Sequence, residues 1–244
     1  MTRYKEKDTL YANPLGSIGA FSFDAKTAAV FPDMIQRSAP GYAAIIQAIG
    51  LLAARFCREQ SRCYDLGCSL GAASFAMQRE IRAKEYRIVA VDNSAAMLDR
   101  MRLHLNENQL HSIDMVCADI RAIPIEQASV VVLNFTLQFV PIADRPPLIA
   151  KIYQGLLPGG ALILSEKIAF VDPRQQQLHT ELHHAFKQAQ GYSELEISQK
   201  RTALENVLLP ETLETHQNRL RDAGFASAET WFQYFNFASL IALK

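Results

Sequence analysis

The residues whose types and spacing could do chemistry are Tyr64-Asp65-Leu66-Gly67-Cys68-Ser69-Leu70-Gly71-Ala72, answered further on by Ile88-Val89-Ala90-Val91-Asp92-Asn93. The first stretch reads as a short strand breaking into a glycine turn that opens a helix. The second reads as a buried strand ending in an acid. Gly67 can take backbone angles closed to other residues, and Gly71 lets the new helix pack close to the crevice. A carboxylate at the end of the neighbouring parallel strand, Asp92, can accept hydrogen bonds from both hydroxyls of a ribose. Together these features describe a nucleoside pocket and an adenosyl-type cofactor. A dinucleotide fits less well. The fingerprint G-x-G-x-x-G needs a glycine where Ser69 stands, because the backbone there must approach a pyrophosphate closely. S-adenosylmethionine has no pyrophosphate. An acid after the third strand, Asp119, and the Pro158-Gly159-Gly160 turn before the fifth also fit a methyltransferase-like plan.

These residues need a scaffold, and the chain shows one. Strand–helix alternation predicts strands over 63–66, 86–92, 114–117, 130–134 and 161–165, with helices from Gly71, from a Ser94 cap and from an Asp144 cap with Pro146 in its first turn. Upstream, a short helical stretch after Asp24 is expected to stop at Pro32, and Pro40 to open a longer helix. Leu157-Pro158-Gly159-Gly160 is expected to end a helix. The alternation halts over about 172–209, a polar helical insertion opened by Asp172-Pro173. Pro210 is expected to start a last helix ending at Gly224, and Trp231–Phe237 with Leu240–Lys244 to close an antiparallel hairpin. The expected fold is α/β: a doubly wound, mostly parallel seven-stranded Rossmann-like sheet of the class I methyltransferase type. One domain over 1–244 is expected, with ligands beyond the carboxyl ends of the strands.

Twenty-five basic and twenty-five acidic residues among 244 cancel, which argues against a broad nucleic-acid surface. Cys57, Cys63, Cys68 and Cys117 form no C-x-x-C pair and read as buried free thiols of a reducing compartment. The amino terminus has no apolar signal core, and the longest apolar run, 130–140, is interrupted by Asn134 and Gln138 and too short for a bilayer. A soluble, cytoplasmic protein is expected. His179 and His183 are four apart, but Glu181 is at the wrong offset for H-E-x-x-H, so a surface helix and no metal are expected. The aromatic run Trp231, Phe232, Tyr234, Phe235 and Phe237 is explained by strand packing.

Specific segments go beyond the generic plan. Val30-Phe31-Pro32-Asp33-Met34-Ile35-Gln36-Arg37-Ser38 with Pro40-Gly41-Tyr42, the run from Tyr64 to Ala72, and Val131-Val132-Leu133-Asn134-Phe135-Thr136-Leu137-Gln138-Phe139 are three of them. Lys151-Ile152-Tyr153-Gln154-Gly155-Leu156, Leu164-Ser165-Glu166-Lys167 and Gly191-Tyr192-Ser193-Glu194-Leu195-Glu196-Ile197-Ser198-Gln199-Lys200-Arg201 complete the set. With these, the chain resembles the carboxy-S-adenosyl-L-methionine synthases over nearly its whole length, the amino-terminal dozen residues excepted.

The resemblance implies a reaction of S-adenosylmethionine with prephenate, giving carboxy-S-adenosylmethionine and phenylpyruvate, without a metal. The product is the carboxymethyl donor for modification of the wobble uridine of tRNA. A sulfonium acidifies its methyl group, and the ylide left by proton loss captures the carbon dioxide that prephenate releases as it aromatises. A new carboxylate in a closed pocket needs a cation, and an arginine fork matches it bidentately. The resemblance assigns Gly67, Cys68 and Ser69 to the methionine end, Asp92 and Asn93 to the ribose, and Asp119 and Ile120 to the adenine. It places Asn134 near the sulfonium, Tyr42 reaching in from the amino-terminal helix, and Arg201 on the carboxylate. It implies a homodimer, with the insertion as a place for the contact, and a functional link to the downstream tRNA carboxymethyltransferase, without direct nucleic-acid or membrane binding. No general base is assigned; hydroxide leaving prephenate could take the proton.

On pattern alone several of these residues have plainer readings. Asp92 could cap a turn, Asn134 could satisfy backbone groups, Tyr42 could be a first-turn aromatic, and Cys68 contributes backbone rather than a nucleophile. Ser198-Gln199-Lys200-Arg201 reads as a solvated helix face. The competing functions are a conventional methyltransferase acting on a small molecule or tRNA, and a non-catalytic adenosylmethionine-binding module.

Overall fold

The computed structural model describes residues 6–108 and 112–244; residues 1–5 of the charged amino terminus lie outside them. The elements run α1 (Ala25–Ser38), α2 (Tyr42–Phe56), β1 (Arg62–Leu66), α3 (Ala72–Glu80), β2 (Arg87–Asp92), α4 (Ala95–Asn108), β3 (Ile113–Cys117) and β4 (Ala128–Asn134). They continue with α5 (Arg145–Gly155), β5 (Leu156–Ala169), α6 (Pro173–Ala189), α7 (Glu194–Leu204), β6 (Glu211–Thr212), α8 (Leu213–Asp222), β7 (Ser227–Tyr234) and β8 (Phe237–Leu243). The strand order is β3-β2-β1-β4-β5-β8-β7, with the short β6 pairing on β5. β1 to β6 pair in parallel, and β8 joins β5 and β7 antiparallel. This is the Rossmann-like class I methyltransferase fold that the alternation of strands and helices predicts.

The strands alternate side chains between two cores, because successive Cβ atoms point to opposite faces. Tyr64, Leu66, Val131, Leu133, Leu162 and Leu164 pack with Ile149, Ile152 and Leu220 of α5 and α8. Cys63, Ile88, Ala90, Val130, Val132 and Ile163 pack with Ile45, Ile49, Met77, Leu98 and Met101 of α2, α3 and α4. A sheet covered on both faces explains why residues 130–133 of β4 read as an unbroken apolar run.

Several local expectations are corrected. Pro32 does not stop α1, which runs through it to Ser38. Proline forgoes one intrahelical hydrogen bond, but burial of Ala28, Val30 and Met34 holds the remaining turns in place. Asp24 caps that helix, accepting from Thr27 N at 2.9 Å. α2 starts at Tyr42 rather than at Pro40, after Gly41 in the left-handed region (φ 74°). Ser94 does cap α4, accepting from Met97 N at 3.2 Å, but the Asp144 side chain makes no cap for α5 and pairs with Arg121 instead. Pro158-Gly159-Gly160 lies inside β5, α5 having ended at Gly155. The last helix begins at Leu213 with Thr212 as its cap, because the residues after Pro210 form β6. Cys63 and Cys68 are buried free thiols, whereas Cys117 is exposed at the end of β3. Among the described residues no single helix is long and apolar enough to cross a membrane.

One buried ion network ties the carboxy-terminal elements to the cavity rim. Arg145, wholly buried, donates Nε to Val140 O at 2.9 Å and Nη2 to Leu209 O at 2.9 Å, and pairs with Glu211. Glu211 also accepts from Arg219 at 2.5 Å. Removing one partner of a buried pair strands the other charge, so Glu211→Ala should cost about 3–5 kcal/mol in urea unfolding. A loss near that of an exposed salt bridge would show that Glu211 is not what neutralises Arg145.

Candidate active site

The carboxyl ends of β1, β2, β3 and β4 open into one cavity, walled opposite by α1, α6 and α7 and by the segment before α1. Gly67, Cys68, Ser69, Asp92, Asn93, Asp119, Ile120, Asn134 and Tyr42 all line it. Arg201 does not.

The glycine turn is built by backbone constraint. Gly67 has φ +80°, and a Cβ there would sit 2.3 Å from the Thr136 side chain. Gly67 N and Cys68 N both donate to Val91 O, at 2.8 and 2.9 Å, which fastens the turn to β2. Gly71, also left-handed at φ +84°, caps α3; a Cβ would press on Met101. Ser69 lies in the left-handed region too (φ 51°), and its amide donates to Asp92 Oδ2 at 2.8 Å. Asp92 Oδ1 accepts from Ser94 N at 2.8 Å. Each Asp92 oxygen therefore holds one backbone amide and retains acceptor capacity towards the cavity. Burial pushes its pKa up while the amides pull it down.

Asp65, to which the sequence reading gave no role, also lines the cavity. It accepts from Ser74 N at 3.0 Å and Ser74 Oγ at 2.6 Å, fixing the start of α3, and burial raises it to about 6. Asp119 stands at the mouth, held below the usual carboxylate range by the Arg121 guanidinium, which binds both its oxygens. Ile120 is buried beside it.

Asn134 ends β4 in register with Ser165 of β5. Its Oδ1 is buried with no hydrogen-bond partner among the described residues, so the reading that it merely satisfies backbone groups does not account for this oxygen. The following turn is rigid. Phe135 takes φ 59°, and the amides of Leu137 and Gln138 both donate to Glu166, each at 2.9 Å. Burial raises Glu166 to about 8 against the pull of those amides and of Arg145. Phe21, Phe23, Phe31 and Phe139 form the aromatic side of the cavity, with Phe23 edge-on to Phe139 at 5.3 Å.

The insertion departs most from the sequence reading. Lys200 and Gln199 of α7 are buried, while Arg201, the next residue, is exposed; successive side chains diverge by about 100° on a helix, so one turns in as the other turns out. Gln199 straps the amino-terminal segment, donating to Tyr11 O and Asn13 O at 2.9 Å and accepting from Leu15 N at 2.8 Å. Asp8 is buried between Tyr192 Oη, which donates at 2.5 Å, and Lys200 Nζ at 3.5 Å. His183 is not a surface residue. It lines the cavity and its Nε2 donates to Ser38 O at 2.8 Å, because a carbonyl can only accept. Burial and neighbouring lysines push His183 far down, so the ring is neutral. Lys167 of β5, Lys187 of α6 and Lys200 of α7 converge on the same wall. In the sequence only Glu166-Lys167, charged residues at the end of an apolar strand, signals any of them. Among the described residues no cluster of His, Cys, Asp and Glu could hold a metal ion.

Burial first, then mutual repulsion, lowers Lys187 to about 7; burial likewise lowers Lys200 to about 8, with Asp8 opposing. A lysine with a depressed folded pKa binds fewer protons folded than unfolded between that value and 10.5. Stability therefore rises with pH across this window and is lost as pH falls through 7. The melting temperature of ligand-free protein, followed from pH 7 to roughly pH 9, should climb less steeply in Lys187→Met than in wild type. Identical slopes would mean that Lys187 is not electrostatically strained.

The chain is similar to known proteins along its length. The family model described as "Methyltransferase domain" matches residues 64–160. The carboxy-S-adenosyl-L-methionine synthase of Trichlorobacter lovleyi is 60% identical, over 98% of this chain and 99% of that one. The protein of the same name from Vibrio cholerae is 57% identical, over 98% and 97%. Among solved structures, an O-methyltransferase family protein of Burkholderia thailandensis superposes with a TM-score of 0.63 at 19% identity, covering 91% of this chain and 60% of that one, a likeness of fold.

Proposed function

The chain belongs to the carboxy-S-adenosyl-L-methionine synthase family, and we propose that it catalyses the reaction of S-adenosylmethionine with prephenate to give carboxy-S-adenosylmethionine, phenylpyruvate and water. The observation that carries this reading is the reach of the match. A general methyltransferase model ends at residue 160, whereas the relatives match over 98% of the chain, through α6 and α7, which wall the cavity.

S-adenosylmethionine supplies an acidified methyl group; prephenate supplies carbon dioxide and hydroxide as its ring aromatises. The methyl proton and that hydroxide leave as water, so no protein base is needed. The residues fit such a ligand. Asp92, with acceptor capacity to spare, and Asn93 hold the ribose; Asp119 and Ile120 meet the adenine. The backbone of Gly67, Cys68 and Ser69 cradles the methionine end. The unpartnered Asn134 Oδ1 faces the positively charged centre, and Tyr42 closes the pocket from α2. The aromatic wall excludes water that would compete for carbon dioxide. Arg201, exposed on α7 and absent from the lining of its own cavity, serves the carboxylate in the cavity of a second copy, in a homodimer formed through the insertion. In the cytoplasm the product would supply the carboxymethyl group for modification of the tRNA wobble uridine, with a functional link to the tRNA carboxymethyltransferase that consumes it.

Mass spectrometry of the nucleoside released by denaturing protein incubated with S-adenosylmethionine and prephenate tests the reaction. A species heavier than S-adenosylmethionine by the mass of carbon dioxide is expected; S-adenosylhomocysteine would favour a conventional methyltransferase, and unchanged S-adenosylmethionine a binding module. Substitution separates the roles. Arg201→Ala should weaken retention of the carboxylated product about 10- to 100-fold and spare S-adenosylmethionine. Asp92→Ala should weaken both together, since they share the ribose; a loss confined to one ligand would remove Asp92 from the ribose.

A further inference from the structure

The cavity wall that faces away from the nucleoside residues carries more positive charge than the protein neutralises. Lys167, Lys187 and Lys200 come from three separate elements, β5, α6 and α7, and all three side chains line the cavity. Only Lys200 is matched: it pairs with Asp8 at 3.5 Å and donates to Ser38 Oγ at 3.0 Å. Asp8 is further engaged by Tyr192, and Asp33 by Arg37 at 3.0 Å. Neither Lys167 nor Lys187 has an ion-pair partner or a side-chain hydrogen bond among the described residues. The nearby imidazole cannot help, since His183 uses its proton on Ser38 O and stays neutral. Asp8 acts on Lys187, without pairing with it, as well as on Lys200, and His184 and Arg201 nearby add no negative charge.

Burying an ammonium without a counter-charge is unfavourable, and placing two together adds repulsion. A polar helix such as α6 could have turned Lys187 outward, where other members of the helix are solvated. That three elements turn lysines inward onto one wall points to a ligand that supplies the missing negative charge.

We propose that Lys167, Lys187 and Lys200 form the subsite for a dicarboxylate co-substrate, with Lys167 and Lys187 matching its two negative charges. The inference rests on the reading above that the second substrate is a dicarboxylate. Position agrees with it. Asn134 pairs in register with Ser165, and Lys167 lies two residues further along the same strand, on the same face and about 7 Å beyond. The subsite is therefore next to the end of β4, where carbon would be transferred, and on the opposite side from Asp92 and Asp119. Asn134 and Lys167 together span the distance between nucleoside and anion. Lys200, anchored by Asp8, also links the subsite to the amino-terminal segment strapped over α7 by Gln199.

The test uses the full chain loaded with S-adenosylmethionine. Prephenate KM is measured in wild type, Lys167→Gln, Lys187→Gln and Lys187→Arg. Calorimetry in parallel follows binding of phenylsuccinate, a dicarboxylate that cannot aromatise, and of the monocarboxylate phenylacetate. In each glutamine variant prephenate KM and the phenylsuccinate Kd should rise about tenfold or more, with S-adenosylmethionine affinity within about twofold of wild type. Lys187→Arg should recover most of the loss, because charge rather than packing is required. Retained S-adenosylmethionine affinity also shows that each variant is folded. Unchanged phenylsuccinate binding overturns the proposal, as does an equal loss of S-adenosylmethionine affinity, which would give the lysines to the methionine carboxylate instead. If wild type forms no carboxylated product yet the variants lose phenylsuccinate, the synthase reading fails and the anion subsite stands. If product forms with wild-type KM in both glutamine variants, the subsite fails and the synthase reading stands.

Discussion

Everything in the site depends on where the strand order reverses. β1 has β2 on one side and β4 on the other, so the chain leaving β1 turns one way over the sheet while the chain leaving β4 turns the other. No connection can fill the gap between them, and a crevice is unavoidable at that edge. Its walls follow from the same constraint. Gly67 leaves β1 at a left-handed angle, and a Cβ there would strike Thr136. Asp92, one strand over, then meets the Ser69 amide on one side and the Ser94 amide on the other. A single carboxylate thereby fixes the glycine turn and the start of α4 together, and this side of the cavity takes its spacing from it.

The two ends of the cavity are chemically unlike. Acids held by backbone amides, Ser74 and Arg121 stand over β1, β2 and β3; lysines without enough counter-charge stand over β5, α6 and α7. Desolvation raises Asp65 and Asp92 and lowers Lys187 and Lys200, so these groups are destabilised as charges, whereas Arg121 holds Asp119 low. Rigidity between the ends comes from the turn after β4, clamped by Glu166 through two amides and by Arg145 through Val140 and Gln138.

Local features are legible in the chain where local chemistry decides them. Gly67, Gly71 and Asp92 could be placed because backbone sterics and strand ends act over a few residues, and the buried strands because a sheet covered on both faces favours apolar residues on both. Pro32 misled because its local cost is outweighed by packing of the helix face around it. Asp144 misled because Arg121, distant in sequence, offered a stronger partner than the helix amides. His183 and Gln199 read as solvated because a polar helix gives no sign of which side will be covered.

By itself the sequence determined the α/β alternation, the glycine turn, the acid that follows it and the family to which these belong, since each is set by short-range sterics or by residue order. Only the tertiary structure decided which way the insertion faces. It turned Lys200 inward and Arg201 outward, brought Lys167 and Lys187 onto the same wall, and buried Asp8 beneath Tyr192. Those are long-range outcomes of desolvation and charge pairing between segments far apart in the chain, and no local pattern encodes them.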